Sequence, residues 1–138
     1  MITFSILVGV GIIAFSIALT SAMIVVCIDL LDHIDKGRIR VIGSFSKTVV
    51  LTAITCWLVT GFLFVSLIWA WLYLYLGDFQ EFEPAFYFSL ISITTVGYGD
   101  IILTSDTRLL AGFQAADGFI LFGLDTAFLF EVVRRLRG

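Results

Sequence analysis

The sequence predicts an all-α membrane protein: three transmembrane helices, with a short re-entrant helix and a glycine-rich stretch between the second and the third. Three observations carry this expectation. Of the 138 residues, 60% are hydrophobic and 14% charged, whereas a soluble domain is nearer to about half apolar and about a quarter charged. Residues 1–28 and 48–76 contain no charged side chain, and 109–133 contain three acids. Each run exceeds the roughly 20 residues that cross the hydrocarbon core, so tilt or extension beyond it is expected. Between the last two runs lies EPAFYFSLISITTVGYGD, too interrupted by glycine to be a span itself.

Residues 1–28 are read as a retained N-terminal transmembrane helix. A cleaved signal peptide is the alternative, but the segment has no basic n-region, and its apolar run is about twice the length of an h-region. Residues 29–47 are expected to form a cytoplasmic loop, and 48–137 the remaining unit. Lys36, Arg38, Arg40 and Lys47 lie between the first two spans, and Arg134, Arg135 and Arg137 follow the third. Asp78, Glu81 and Glu83 precede the re-entrant stretch without a base. Positive charge stays inside, which places the amino terminus outside and the carboxyl terminus in the cytoplasm of a multi-pass cell-membrane protein. Only Arg108 falls on the unfavoured side. Trp69, Trp71, Tyr73 and Tyr75 cluster at the outer end of the second span, where aromatic rings suit the interface.

Pro84, the single proline, fits the first turn of a helix, where its missing N–H leaves no bond unmade. Glu81 and Glu83 suit the positive end of the helix dipole. A helix over 84–94 would be roughly 16 Å long, too short to span. Non-helical backbone following it at membrane depth must be buried in protein or line a water-filled path.

The run Thr94-Thr95-Val96-Gly97-Tyr98-Gly99-Asp100 resembles the selectivity filter of the potassium channel family. The resemblance covers an outer helix (48–76), a pore helix (84–94), the filter (95–100) and an inner helix (108–133). The first span lies outside it. The resemblance implies a K⁺-selective pore subunit, not an enzyme, with K⁺ held by the backbone carbonyls of Thr95, Val96, Gly97 and Tyr98 and by the Thr95 hydroxyl. Val96 and the Tyr98 ring would point away and brace the strand. Carbonyls can replace the hydration shell of K⁺, and Gly97 and Gly99 permit the backbone angles this requires. One filter cannot surround an ion, and the chain holds no internal repeat, so a homotetramer is expected. K⁺ ions and the lipid bilayer are then the expected partners, with no organic cofactor and no nucleic acid.

The filter's support, Thr94, Asp100, Tyr87, Phe88 and Ile91, departs from familiar relatives. Tyr87 and Phe88 stand where many members carry paired tryptophans. Ile91 stands where some bacterial members place a glutamate that pairs with the acid closing the filter. The Tyr87 hydroxyl is therefore expected to take over as partner of Asp100, whose alternative is simple solvation at the mouth.

Alignment on Arg108 puts Gly118 at the family's hinge glycine and Gly123 at a second small position. Phe119, Phe122 and Thr126 share one face and are assigned to the cavity. A glycine inside a helix costs roughly 1 kcal/mol relative to alanine, which favours a bending or close-packing role. Asp117 lies nearly opposite the cavity face, toward the outer or pore helix, and Asp125 about a quarter-turn away. Acids within a membrane are functional candidates by default, either as hydrogen-bonded structural groups or as parts of a proton-sensitive gate.

Weaker features complete the reading. Ala14, Ala18 and Ala22 form a small-residue stripe for close packing on a neighbouring helix. Asp29, Asp32, His33 and Asp35 are expected to form a solvated cytoplasmic helix end, with divalent-ion binding or pH sensing as the alternatives and Lys36 as a partner for Asp32. Cys27 and Cys56 are expected to be reduced, packed thiols. Glu131 has pairing spacing to Arg134 and Arg135, and this basic tail can meet anionic lipid. No span carries regularly spaced arginine or lysine, so no voltage sensor is expected. With the sequence ending at Gly138, no ligand-binding domain of its own is expected, which leaves a leak pore, a pH or lipid response, or a separate gating subunit. Two other classes compete: a non-conducting subunit of another channel, and a weakly selective cation channel. A potassium-uptake transporter would need four non-identical pore loops in one chain.

Overall fold

In lipid every backbone polar group must be paired internally, which leaves helices or a closed barrel, and this chain takes the helical solution. The computed structural model describes residues 2–35, 44–105 and 107–137. Four helices follow in order: α1 (Ile2–Asp35), α2 (Ser44–Leu76), the short α3 (Phe82–Ile93) and α4 (Arg108–Arg137). Among the described residues there is no strand. By length and composition, α1 over Ile2–His33 and α2 over Lys47–Leu76 are able to cross a membrane. At 30 residues, α4 is also long enough, at about 45 Å, although Gln114, Asp117 and Asp125 interrupt its apolar run.

The helices run further than their apolar stretches. α1 continues past residue 28 to Asp35, so the expected 29–47 loop is helical at both of its ends, since α2 begins at Ser44. Charge ends a hydrophobic run without ending the hydrogen-bond ladder, and Asp32 is held by Arg135 of α4 at 2.6 Å. Lys36, Arg38 and Arg40 lie outside the described residues. α4 likewise extends to Arg137, its last turns tied by Glu131 to Arg134 and Arg135 at 2.8 and 3.1 Å. These bonds push both guanidinium groups up.

α2 stops at a Schellman motif. Gly77, at φ +83°, donates to Leu74 O and Asp78 N donates to Tyr73 O, both at 3.1 Å; a left-handed residue there suits glycine. α3 starts at Phe82 with Glu81 in the capping position and Glu83 in its first turn, and Thr94 closes it.

Two apolar clusters hold the helices together. One gathers Val65, Trp69, Tyr73, Phe88, Ile93, Leu110 and Leu121 around α3. The other joins Cys27 and Leu31 of α1, Ile54 and Leu58 of α2, and Phe128, Val132 and Leu136 of α4. Within lipid, close approach and polar contacts decide which faces meet. A Cβ on Gly9 would lie 2.6 Å from the Phe113 ring, and one on Gly61 would lie 2.5 Å from Met23 Sδ. α1 therefore packs through Ser5, Gly9, Ser16, Thr20 and Cys27, whereas Ala14, Ala18 and Ala22 are exposed on this chain. The alanine stripe is not the face that meets α2 and α4. Trp69 and Tyr73 are also fully buried rather than interfacial, leaving Trp71 and Tyr75 at the surface. Both cysteines are free, Cys27 buried and Cys56 exposed.

Candidate functional site

The stretch after α3 adopts a backbone that few sequences tolerate. Thr95, Gly97 and Gly99 have φ of +60°, +48° and +78°, alternating with Val96 and Tyr98. In an ordinary strand successive carbonyls point to opposite sides; left-handed residues at every second position break that alternation. Glycine meets the requirement without a Cβ penalty at two of the three positions. Thr95 is the only non-glycine residue at positive φ among the described residues, and such a conformation persists only where its surroundings over-determine it. Those surroundings are the end of α3: Thr95 N donates to Ser92 O and Gly97 N to Ile91 O, both at 3.0 Å. Thr94 Oγ1 donates to Leu90 O at 2.6 Å. Residues 95–100 are exposed on the single chain, Val96 at 52% and Tyr98 at 73%.

Around this segment the supporting residues divide. Tyr87 Oη donates to Asp100 Oδ2 at 2.9 Å. That bond, more than desolvation, raises the Tyr87 phenol above its ordinary 10.0. Phe88 is buried, edge-on to Tyr73 at 5.2 Å and tilted against Phe79 at 5.6 Å. Ile91 is buried beneath the turn.

Behind α3 runs a polar chain. Tyr73 Oη donates to Gln114 Oε1 at 2.8 Å. Gln114 Nε2 donates to Ser89 Oγ at 2.6 Å and Ser89 O at 3.1 Å. Ser89 Oγ in turn donates to Ser66 O at 2.6 Å. All four side chains are fully buried, and together they tie α3 to α2 and α4. Sequence reasoning missed Ser66, Ser89 and Gln114, although a glutamine inside an apolar helix is itself a signal, because a buried amide needs partners.

The two glycines of the inner helix have different surroundings. Gly118 is buried, and a Cβ built on it would collide with the Ile93 carbonyl oxygen, with Ile93 C at 2.7 Å. Gly123 has nothing within 4 Å of such a Cβ. Close approach is thus the visible reason for Gly118, and α4 stays helical through both positions. Phe119, Phe122 and Thr126 are exposed, and with Gly123, Ala127 and Phe130 they line one open concave face.

Asp117 is fully buried. Its Oδ2 accepts from Ser16 Oγ of α1 and Trp69 Nε1 of α2, both at 2.9 Å, so its partners lie on the first and outer helices and not on α3. Asp125 is half-buried, and its Oδ1 has no hydrogen-bond partner among the described residues. Among the described residues no three His, Cys, Asp or Glu side chains stand together as metal ligands, and Asp32 is engaged by Arg135.

A pore-type helix pair carrying a short helix and an unusual turn is the arrangement of a channel domain. A family model described as an ion channel matches residues 52–135, more than half of the chain, spanning most of α2, all of α3 and nearly all of α4. The chain belongs to this ion channel family, and α1 lies outside the matched region. No curated protein and no solved structure matches the chain.

Proposed function

We propose that the chain is the pore subunit of a K⁺-selective channel that conducts passively as a homotetramer, with residues 95–100 as the filter. The observation that carries the reading is the left-handed backbone at Thr95, Gly97 and Gly99, which frees carbonyls from strand alternation so that they can serve as ion ligands. Thr95, Val96, Gly97 and Tyr98 supply those carbonyls, and the Thr95 hydroxyl lies at the inner end. Four copies are needed to surround one ion. Two exposed features of the single chain support assembly: the filter stretch, and the concave face of Phe119, Phe122 and Thr126, which would line a central cavity. Asp100, held by Tyr87, closes the filter at the outer mouth. The amino terminus lies outside and the carboxyl terminus in the cytoplasm, as the distribution of lysine and arginine favours.

Purified protein in liposomes, assayed for K⁺ against Na⁺ flux, tests the reading. Selective K⁺ flux is expected. Equal fluxes would mean a weakly selective cation channel, and no flux would mean a silent subunit of another channel.

A further inference from the structure

We propose that Ser16, Trp69 and Asp117 form a positioning node through which the first helix sets the inner end of the filter. The inference rests on the pore reading above and concerns a helix that the family match does not include.

The path is short and made of direct contacts. Asp117 Oδ2 is gripped from two helices, by Ser16 Oγ of α1 and Trp69 Nε1 of α2, each at 2.9 Å. The next residue, Gly118, lets the α4 backbone lie directly on the Ile93 carbonyl, which even a methyl group would displace. Ile93 is the last residue of α3. Thr95, two positions on, holds the first left-handed angle of the filter. The side chain of residue 117 therefore anchors the backbone on which the filter's base is seated.

The acid is an expensive way to fill this position. Its Oδ1 is buried without a hydrogen-bond partner among the described residues, and an apolar side chain would avoid that cost. Ser16 does not need Asp117, since its single hydroxyl proton can go instead to Ile12 O, 2.8 Å from Ser16 Oγ. The requirement lies with the acid, whose two bonds come from different directions and define where α4 stands. Gly9 against Phe113 sets the same two helices at contact further along. Leucine at 117 would pack but would not be directed.

The test separates positioning from scaffolding. Rb⁺ and K⁺ differ in size but not in charge, so their permeability ratio reads the oxygen cage and not the amount of assembled channel. Ser16→Ala, Trp69→Phe and Asp117→Leu tetramers are compared with wild type in liposomes, with tetramer content measured on each preparation. Each is expected to assemble and to shift the Rb⁺/K⁺ ratio by about three- to tenfold, the equivalent of one hydrogen bond felt at one ion site. Asp117→Asn, which keeps an acceptor oxygen, is expected to restore the ratio toward wild type. Unchanged ratios in Ser16→Ala and Trp69→Phe would overturn the proposal, as would loss of tetramer in both. Absence of K⁺-selective flux from wild-type protein would instead refute the pore reading, and the proposal with it.

Discussion

The Tyr87 hydroxyl stands 2.9 Å from Asp100 Oδ2 and is its donor. The bond joins the first half of α3 to the residue closing the filter stretch, 13 positions on. Tyr87→Phe removes only the donor. The expected outcome is a channel that still conducts but keeps its conducting state several-fold less long, about what one charge-assisted hydrogen bond contributes. The measurement is the decay of macroscopic current in bilayers, and an unchanged decay would remove Tyr87 from the filter's support.

The same bond has a defined pH window. Tyr87 is raised above 10.0, first by its bond to Asp100. A raised value means that the contribution is complete below the ordinary phenol value and is lost as pH rises through the shifted one. Current stability in wild type should therefore show no Tyr87-dependent change between pH 6 and 9, about a unit or more below that value. A Tyr87-dependent loss, absent from Tyr87→Phe, should appear only in more alkaline solution. Recording wild type and variant across that range checks the sign.

Gly118 and Gly123 should part company when each becomes alanine. At Gly118 the methyl group meets the Ile93 carbonyl, so backbone must shift and the protein should lose about 1–3 kcal/mol or more. At Gly123 the space is open, and alanine should leave stability unchanged or raise it by up to about 1 kcal/mol through helix propensity. Thermal denaturation in detergent compares the two. Equal effects would mean that the α4–α3 contact at Ile93 is not maintained.

What the sequence showed and what it hid follow one physical line. The long apolar runs, the short helix opened by Pro84 and the filter stretch are local patterns, and each could be read where it stands. The Tyr87–Asp100 contact was within reach because both residues sit in that local motif. The packing face of α1 was hidden. An apolar helix in lipid carries no amphipathic signal for its partner, and small residues occur on both sides, at Ala14, Ala18 and Ala22 as well as at Ser5, Gly9, Ser16 and Thr20. Trp69 and Tyr73 look the same in sequence as Trp71 and Tyr75, yet the first pair is buried and the second exposed. Period two along a helix puts neighbours on different faces, and the pair that turns inward is the one that meets Asp117 and Gln114 of α4.

Gln114 is the centre of the polar chain behind α3, and its loss breaks the chain on both sides. Gln114→Leu leaves the buried Tyr73 Oη without its acceptor, while Ser89 Oγ keeps its bond to Ser66 O. An unsatisfied buried group costs about 1–3 kcal/mol, so the variant should melt at clearly lower temperature. Ser89→Ala removes a smaller side chain and should cost less. If Gln114→Leu melts like wild type, the chain of bonds contributes nothing net.

The concave face of α4 makes the most direct claim on pore geometry. In a homotetramer with this face inward, Thr126 lies in a water-filled cavity, and cysteine there should react with a charged, water-soluble thiol reagent. The background must be free of accessible native thiol, so Cys56, which is exposed, is first replaced by alanine. In that background Thr126→Cys should lose most of its K⁺ flux when reagent reaches the cytoplasmic side. Val26→Cys, on the outward surface of α1 and 56% exposed, should be unaffected, because lipid excludes the reagent and the position is remote from the ion path. Block at both positions would mean that α1 also borders water. Block at neither would turn the face of Phe119, Phe122 and Thr126 away from the conduction path and require a different arrangement of the four subunits.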